Sequence, residues 1–357
     1  MDIQNFYAGK EFFAHMWLGA HLENDGATFR TFAPAATQIQ VILPDQIEDM
    51  QRVKDGNFWE AHVEGVTAGT PYEYRIFNGG SYTDHCDPYG YGMDLRPGHR
   101  SIVRELSYEW HDQDWMDSRS TGYDKPVNIY EMHLGSWRKR SGDQKSTDVA
   151  DWYTYSEIAY ELIPYLKEAG YTHVEFLPLN EHPLDASWGY QPTGFFSPTS
   201  RYGTAVQLME LIDKLHGAGI GAILDFVPVH FAVDEYGLGN YDGTALLEYP
   251  NDAVGVSEWG SYNFMHSRGE TCSFLQSSAN FWLGAYHFDG IRMDAISRII
   301  YWQGDPARGV NANAVQFVRE MNGGLKYLNQ GIMLVAEDST NYPGTTKPSS
   351  EGGLGFD

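Results

Sequence analysis

The stretch His287-Phe-Asp-Gly-Ile-Arg-Met-Asp-Ala-Ile296 decides the fold, because it has the pattern of a buried strand that ends in a carboxylate. Successive side chains of a strand point to opposite faces, so Arg292 and Asp294 would share one face. A buried arginine and a buried aspartate are costly unless they pair. A guanidinium beside Asp294 would keep the carboxylate ionised, as a nucleophile requires. A purely structural ion pair would explain the two residues equally well, so the rest of the chain has to decide.

Composition limits the class of protein and of partner. The 357 residues, of which 42% are hydrophobic and 20% charged, predict a globular protein, and its length suggests about two domains. The net charge of −24 argues against nucleic acid and against anionic membranes as partners. The aromatic content of 15% is high and suits sugar rings, whose apolar faces stack on aromatic planes. A neutral polymer is therefore the favoured class of substrate.

The cysteines and the N-terminus suggest where the protein works. Cys86 and Cys272 lie far apart and lack metal-ligand spacing, so we expect neither a disulfide framework nor a zinc site. The first residues contain no basic segment followed by an apolar run, as a signal peptide would. No stretch approaches the roughly 18 uninterrupted apolar residues that span a membrane. These features predict a cytoplasmic protein without membrane contact.

Residues 27–104 have the pattern of short strands joined by turns. Tyr72 and Tyr74 alternate with polar residues, and dipeptides such as Asp25-Gly26 are typical of turns. Short alternating strands at this spacing predict a small immunoglobulin-like β-sandwich. We assign it to residues 1–112.

After Lys125-Pro126 the pattern changes to strands that alternate with helices. Five strands are predicted here, at residues 127–133, 173–179, 222–227, 287–294 and 332–338. Their near-continuous apolar runs indicate a parallel sheet, and polar residues cluster where the strands end. Active sites of eight-stranded α/β barrels lie at that end of the strands.

We therefore predict that residues 113–357 form an incomplete (β/α)8 TIM barrel, since only five of its eight strands can be found. A doubly wound open sheet is the alternative. It would normally show a glycine-rich phosphate loop after its first strand, and Leu134-Gly-Ser-Trp137 has no such pattern.

The first helix of this part has clear boundary signals. Thr154 and Glu157 have the spacing of a capping box, and Gly170 is a typical stop. Pro164 lies between these signals, and we expect it to kink or divide the helix.

Two carboxylates suggest the chemistry. Asp294 and Glu337 end consecutive strands, which would be neighbours in a parallel barrel. Two facing carboxyl groups suit glycoside chemistry, with one ionised as the nucleophile and the other protonated as the general acid. We expect Arg292 to keep Asp294 charged, and the apolar residues before Glu337 to keep that group protonated by desolvation.

Three short segments resemble signature regions of the α-amylase superfamily: Asp225-Phe-Val-Pro-Val-His230, Gly290-Ile-Arg-Met-Asp294 and Ala336-Glu-Asp338. The sandwich is similar to the carbohydrate-binding module that precedes the barrel in that superfamily. Longer segments resemble the glucan branching enzymes within it, namely residues 130–137, 188–203 and 236–245.

The resemblance implies that Asp294 is the nucleophile and Glu337 the acid/base of a retaining mechanism. The enzyme would cleave an α-1,4 link of a glucan such as glycogen and transfer the chain to a 6-hydroxyl. Neither a metal nor an organic cofactor is needed for that chemistry. Substrate contacts are implied for four further residues: Tyr190, Asp225, His230 and Arg292.

One departure from the family pattern is serious. The superfamily's third acid, an aspartate preceded by histidine on the seventh strand, is not found. We therefore expect this sequence to be the N-terminal portion of a longer enzyme and to have no useful activity alone. Two alternatives stay open: an α-glucan hydrolase of the debranching or trehalose-releasing kind, since the same carboxylates serve hydrolysis and transfer, and a non-catalytic glucan-binding protein.

Overall fold

The computed structural model describes residues 1–121 and 125–357, which form two compact units. The sandwich unit consists of Met1–Leu106, Asn180–Thr199 and Val229–Ser278. The sheet unit consists of Ser107–Leu179, Ser200–Pro228 and Ala279–Asp357. Two segments of the sandwich unit thus lie beyond residue 112, and the predicted domain boundary there stays a prediction.

The strands are short, and most lie where alternating or continuous apolar runs predict them. The described residues contain eighteen strands, in chain order β1 (Gly19–Leu22), β2 (Gly26–Phe32), β3 (Gln38–Ile42), β4 (Ile47–Asp49), β5 (Gln51–Val53), β6 (Phe58–Glu64), β7 (Pro71–Asn78), β8 (Ser81–His85), β9 (Ser101–Ile102), β10 (Ile129–Met132), β11 (His173–Phe176), β12 (Asn180–Glu181), β13 (Gly194–Pro198), β14 (Gly221–Phe226), β15 (His230–Phe231), β16 (Tyr262–Asn263), β17 (Gly290–Met293) and β18 (Met333–Ala336).

The longer helices lie almost entirely after the sandwich strands. In the described part of the chain there are nine α-helices, α1 (Ile3–Tyr7), α2 (Gln113–Ser118), α3 (Leu134–Trp137), α4 (Tyr155–Ala169), α5 (Ala205–Gly217), α6 (Asp252–Gly255), α7 (Gly269–Ala285), α8 (Ile296–Ile300) and α9 (Ala312–Leu328). None of the helices in the described ranges is long and apolar enough to cross a membrane.

The sandwich unit contains two antiparallel sheets, with strand orders β1-β2-β6-β5 and β4-β3-β7-β8, and β9 pairs with β7. Phe29 of β2 and Tyr72 of β7 are both buried, and their ring centroids lie 4.9 Å apart. The two sheets therefore pack face to face through aromatic side chains. The predicted β-sandwich is confirmed.

The sheet unit contains a parallel sheet with the order β10-β11-β14-β17-β18. This is the chain order of the five predicted barrel strands, so the predicted incomplete barrel is confirmed. Asp225 of β14 pairs with Arg292 of β17, while Asp294 and Glu337 directly follow the last residues of β17 and β18. The parallel register brings all four residues to one edge of the sheet.

Helix α4 begins at the predicted capping box, in which the side chains of Thr154 and Glu157 each bond to the other residue's backbone N–H. It ends at Gly170, which has a left-handed conformation. The helix continues through Pro164, so proline does not divide it, and the alternative, a kink at this residue, stays a prediction. Pro164 lies on the exposed side, where water can bond to the carbonyl that lacks its helical partner.

Glycine at position 290 permits the close approach of β17 and β18. A Cβ at Gly290 would overlap the carbonyl oxygen of Met333, which belongs to the backbone of β18. We expect Gly290→Ala to destabilise the protein by about 1–3 kcal/mol, the usual cost of overpacking. Gly284→Ala is the control: a Cβ there meets nothing within 4 Å, and alanine favours the helix by about 1 kcal/mol. The midpoint of urea unfolding should fall for Gly290→Ala and rise for Gly284→Ala. Equal shifts of the midpoint in the two variants would contradict this account.

Candidate active site

Arg292 lies at the centre of a cluster of carboxyl groups at the carboxyl edge of the parallel sheet. Its Nη1 donates to both carboxylate oxygens of Asp225, at 2.8 and 2.7 Å, and to Oδ1 of Asp294 at 2.9 Å. Its Nη2 lies 3.4 Å from Oε2 of Glu337. The structure therefore brings together four of the six predicted site residues through one guanidinium.

Backbone bonds to neighbouring strands fix both candidate catalytic residues. The Asp294 N–H donates to the carbonyl of Phe226 at 2.9 Å, and the Glu337 N–H donates to the carbonyl of Met293 at 3.0 Å. The N–H of Ala295, which has a left-handed φ of 47°, donates to Oε2 of Glu337 at 2.6 Å. The sheet thus sets the separation of the two carboxyl groups.

Burial raises the pKa of Asp294 to about 7, and the carboxyl groups of Asp225 and Glu337 add to the rise. Arg292 opposes it. Our expectation that Arg292 keeps Asp294 charged is therefore wrong at neutral pH, because burial and the two neighbouring carboxyl groups outweigh the guanidinium. Desolvation of Glu337 is also not found, since its side chain is 45% exposed.

Tyr190 and His230 lie together in the sandwich unit. Nε2 of His230 lies 2.7 Å from the carbonyl oxygen of Tyr190 and therefore donates to it. Burial lowers the pKa of His230 to about 4, so the ring is neutral at pH 7. Its Nδ1 is then an acceptor, and this buried atom has no hydrogen-bond partner within the described residues. Such an atom can accept a hydrogen bond from a sugar hydroxyl.

Two exposed tryptophans near these residues were not among the predicted site residues. Trp259 meets the His230 ring edge to face at 5.3 Å and is 46% exposed. Trp188 is 52% exposed and has a left-handed φ of 54°. Exposed indole faces suit the apolar faces of sugars. The sequence does not indicate that Trp259 lies near His230, because the two residues are 29 positions apart in the chain.

Sequence reasoning also missed a buried charge cluster at the opposite end of the parallel strands. His216 lies between two carboxylates, with Nδ1 at 2.7 Å from Asp112 and Nε2 at 2.9 Å from Asp289. His287 also bonds to Asp112, at 2.9 Å. The sequence gives no local signal for this cluster, because its members are up to 175 residues apart.

One group of three side chains in the described ranges could hold a metal ion: Glu23, Asp25 and His62 of the sandwich unit. All three are exposed. Nδ1 of His62 lies 3.6 Å from Glu23 and its Nε2 lies 3.4 Å from Asp25, so contacts among the three side chains account for the cluster.

Comparison with protein families gives two matches that do not overlap in the sequence. Residues 17–90 match carbohydrate-binding module 48 (isoamylase N-terminal domain), and residues 145–237 match the catalytic domain of α-amylase.

Whole-chain relatives include two curated 1,4-alpha-glucan branching enzymes named GlgB. The protein of Francisella philomiragia is 41% identical and that of Francisella tularensis subsp. novicida is 40% identical. Each match covers 100% of this chain and 58% of the relative, so the chain spans somewhat more than half of their length.

Among solved structures, a pullulanase from Paenibacillus barengoltzii in complex with maltohexaose and α-cyclodextrin has a similar fold. The TM-score is 0.73 at 20% identity, over 94% of this chain and 55% of that chain.

Proposed function

We propose that this chain, which belongs to the α-amylase superfamily, carries the catalytic residues of a 1,4-α-glucan branching enzyme. The observation that carries the proposal is the cluster of Asp294 and Glu337 around Arg292 at the carboxyl edge of the sheet. Adjacent strands lie about 4.8 Å apart, which matches the separation of about 5–5.5 Å between the carboxyl groups of a retaining pair. The likeness to two branching enzymes along the whole chain supports the choice of reaction.

In the first step, Asp294 attacks the anomeric carbon of an α-1,4-linked glucose, and the bond to the leaving oxygen breaks. Glu337 gives its proton to that oxygen, so the shortened glucan leaves as a neutral alcohol. The product is a covalent ester between Asp294 and the transferred chain. The Asp294 carboxylate must be ionised for this step, and its raised pKa sets the pH range in which it is.

In the second step, ionised Glu337 takes the proton of a 6-hydroxyl on an acceptor glucan. The resulting oxygen attacks the anomeric carbon from the face that the leaving group occupied, and Asp294 departs as a carboxylate. The two inversions together retain the α configuration, and an α-1,6 branch is formed. Glu337 is the more exposed of the two carboxyl groups, as a group that meets an incoming acceptor should be.

Asp225 and Arg292 keep this pair in place. Asp225 is 1% exposed and accepts two hydrogen bonds from Arg292, which prevents the guanidinium from turning away. Arg292 in turn contacts Asp294 and reduces the cost of ionising it inside the cluster. We propose that Arg292 and Asp225 also bind hydroxyl groups of the reacting glucose.

Glucan contacts are further proposed for His230 and Tyr190. The unpartnered Nδ1 of His230 would accept from a sugar hydroxyl, and the half-buried Tyr190 would stack on a ring face. We place the reaction in the cytoplasm, which accords with an absence of disulfides among the described residues.

The test uses protein made from its complete reading frame and a linear amylose. Branching should produce α-1,6 signals in the proton NMR spectrum while the number of reducing ends stays constant, because each cleaved chain is rejoined. Glu337→Gln should lose both cleavage and transfer. Rising reducing ends without α-1,6 signals would instead identify a hydrolase, and unchanged amylose would identify a non-catalytic glucan-binding protein.

A further inference from the structure

The sandwich strands hold residues 236–243, which lie in the long connection between β15 and β16. Nδ1 of His85 donates to the carbonyl of Gly237 at 2.8 Å, and the N–H of Cys86 donates to the carbonyl of Tyr236 at 2.8 Å. Both donors are buried at the end of β8. The beginning of this segment is therefore fixed to a strand end of the sandwich.

The other end of residues 236–243 is bonded to both sandwich sheets and to the loop that follows β2. The hydroxyls of Thr31 and Tyr241 lie 2.8 Å apart, and the Ala35 N–H donates to Oδ2 of Asp242 at 2.8 Å. Nδ2 of Asn78 donates to the Asp242 carbonyl at 2.8 Å. Thr31 and Asp242 are fully buried and Tyr241 is 1% exposed. Loss of any one partner would leave a buried polar group unpaired, which is costly.

Hydrogen bonds connect this anchored segment to β15, the strand that contains His230. The N–H of Asn240 donates to the buried carboxylate of Glu248 at 2.7 Å, and Glu248 pairs with Phe264 through a β-bridge. The Phe264 N–H donates to the carbonyl of Val229, the residue before His230, at 3.0 Å. The position of His230 is thus connected to the sandwich sheets by consecutive, mostly buried bonds.

We propose that the sandwich holds His230 in position for glucan through residues 236–243, with Thr31 as a positioning residue. This inference rests on the proposed sugar contact of His230. It gives the sandwich a role in substrate affinity that needs no glucan bound to the sandwich itself. A loosened Tyr241 would let the segment shift, and the acceptor Nδ1 of His230 would no longer be preorganised for a hydroxyl.

The main test is a double-mutant cycle in the protein made from its complete reading frame. Maltoheptaose affinity is measured by calorimetry for Thr31→Val, which keeps the volume of the side chain and removes its hydroxyl. We expect affinity to fall by about threefold to tenfold, and Tyr241→Phe, which breaks the same bond from the other side, to give the same loss. In the His230→Ala background, Thr31→Val should have no further effect on affinity.

Thr37→Val is the matched control, because Thr37 is exposed and its hydroxyl donates to the carbonyl of Phe77 within the sandwich. It should leave affinity unchanged. An equal loss from Thr31→Val with and without His230 would overturn the inference, since the sandwich would then act by another route. Unchanged affinity in Thr31→Val would overturn it too. The NMR product assay on unaltered protein decides the proposed function separately, so the two can fail independently.

Discussion

Asp294→Asn is expected to abolish glucan transfer and, at the same time, to raise the melting temperature at pH 8. The loss of activity follows because an amide cannot attack the anomeric carbon, and removal of a nucleophile costs about 10⁴-fold or more. The gain in stability follows because Asp294 is buried and because Asp225 and Glu337 lie around the same arginine. Catalysis and stability therefore make opposite demands on this residue.

The sign of the stability effect depends on pH. The folded pKa of Asp294, about 7, lies above its ordinary value of 3.8, so ionisation opposes folding. The penalty is absent below pH 3.8, grows as pH rises to about 7, and is complete above it. At pH 8 we expect Asp294→Asn to gain about 1 kcal/mol or more, which corresponds to roughly 2–4 °C. At pH 4 the two proteins should melt alike.

Differential scanning calorimetry at both pH values measures this effect, with Glu337→Gln for comparison. Glu337→Gln should also lose activity but gain less stability, because its side chain is 45% exposed and that of Asp294 is 14% exposed. A pH-independent change in the melting temperature of Asp294→Asn would contradict the raised pKa.

The sequence predicted that the candidate catalytic residues lie together, because parallel strands bring their carboxyl ends to one edge. Asp225, Arg292, Asp294 and Glu337 each end or follow a recognisable apolar run, so their meeting required no long-range information. The charge state of Asp294 could not be predicted in this way. It depends on how many carboxyl groups share Arg292 and on how deeply each is buried, which the strand pattern does not determine.

Other features depend on pairings between distant residues. Nothing near Thr31 indicates that its hydroxyl bonds to Tyr241, 210 residues later. Likewise, residues 180–199 and 229–278 follow strands of the parallel sheet, yet they pack with the sandwich unit. Local patterns predict strands and helices, whereas long-range bonds decide which unit a connecting segment joins.

Asp289→Asn is expected to destabilise the protein by about 3 kcal/mol, because it removes one partner of a buried charge. Three N–H groups point at the Asp289 carboxylate. Oδ1 accepts from the Trp115 indole at 2.8 Å, and Oδ2 accepts from His216 at 2.9 Å and from the Ala222 N–H at 2.8 Å. An asparagine side chain must turn its NH₂ toward at least one of these donors. Either orientation leaves a buried N–H without an acceptor.

The same cluster predicts how stability changes with pH. Burial disfavours a charged His216, but its hydrogen bonds to Asp112 and Asp289 outweigh burial and raise its pKa above the ordinary 6.5. The histidine therefore contributes stability below pH 6.5, and the contribution is lost as pH rises through the raised folded pKa. For Asp289, burial opposes ionisation, but the bond and the charge of His216, together with the bonds from Trp115 and Ala222, outweigh burial and lower the pKa below 3.8. Ionised Asp289 therefore contributes stability above pH 3.8, and this contribution is lost as the pH falls through the lowered folded pKa.

Urea unfolding at pH 6 and pH 9 tests the cluster, with Asp117→Asn as the control. Asp117 is exposed and lies on α2 beside Trp115, so its substitution should change stability by less than about 0.5 kcal/mol. Unaltered protein should be less stable at pH 9 than at pH 6, and this difference should shrink in Asp289→Asn, because His216 then has one carboxylate fewer to hold its proton. If Asp289→Asn unfolds like Asp117→Asn, the buried carboxylate does not stabilise the strand ends. If the pH dependence is unchanged, His216 is not the titrating group.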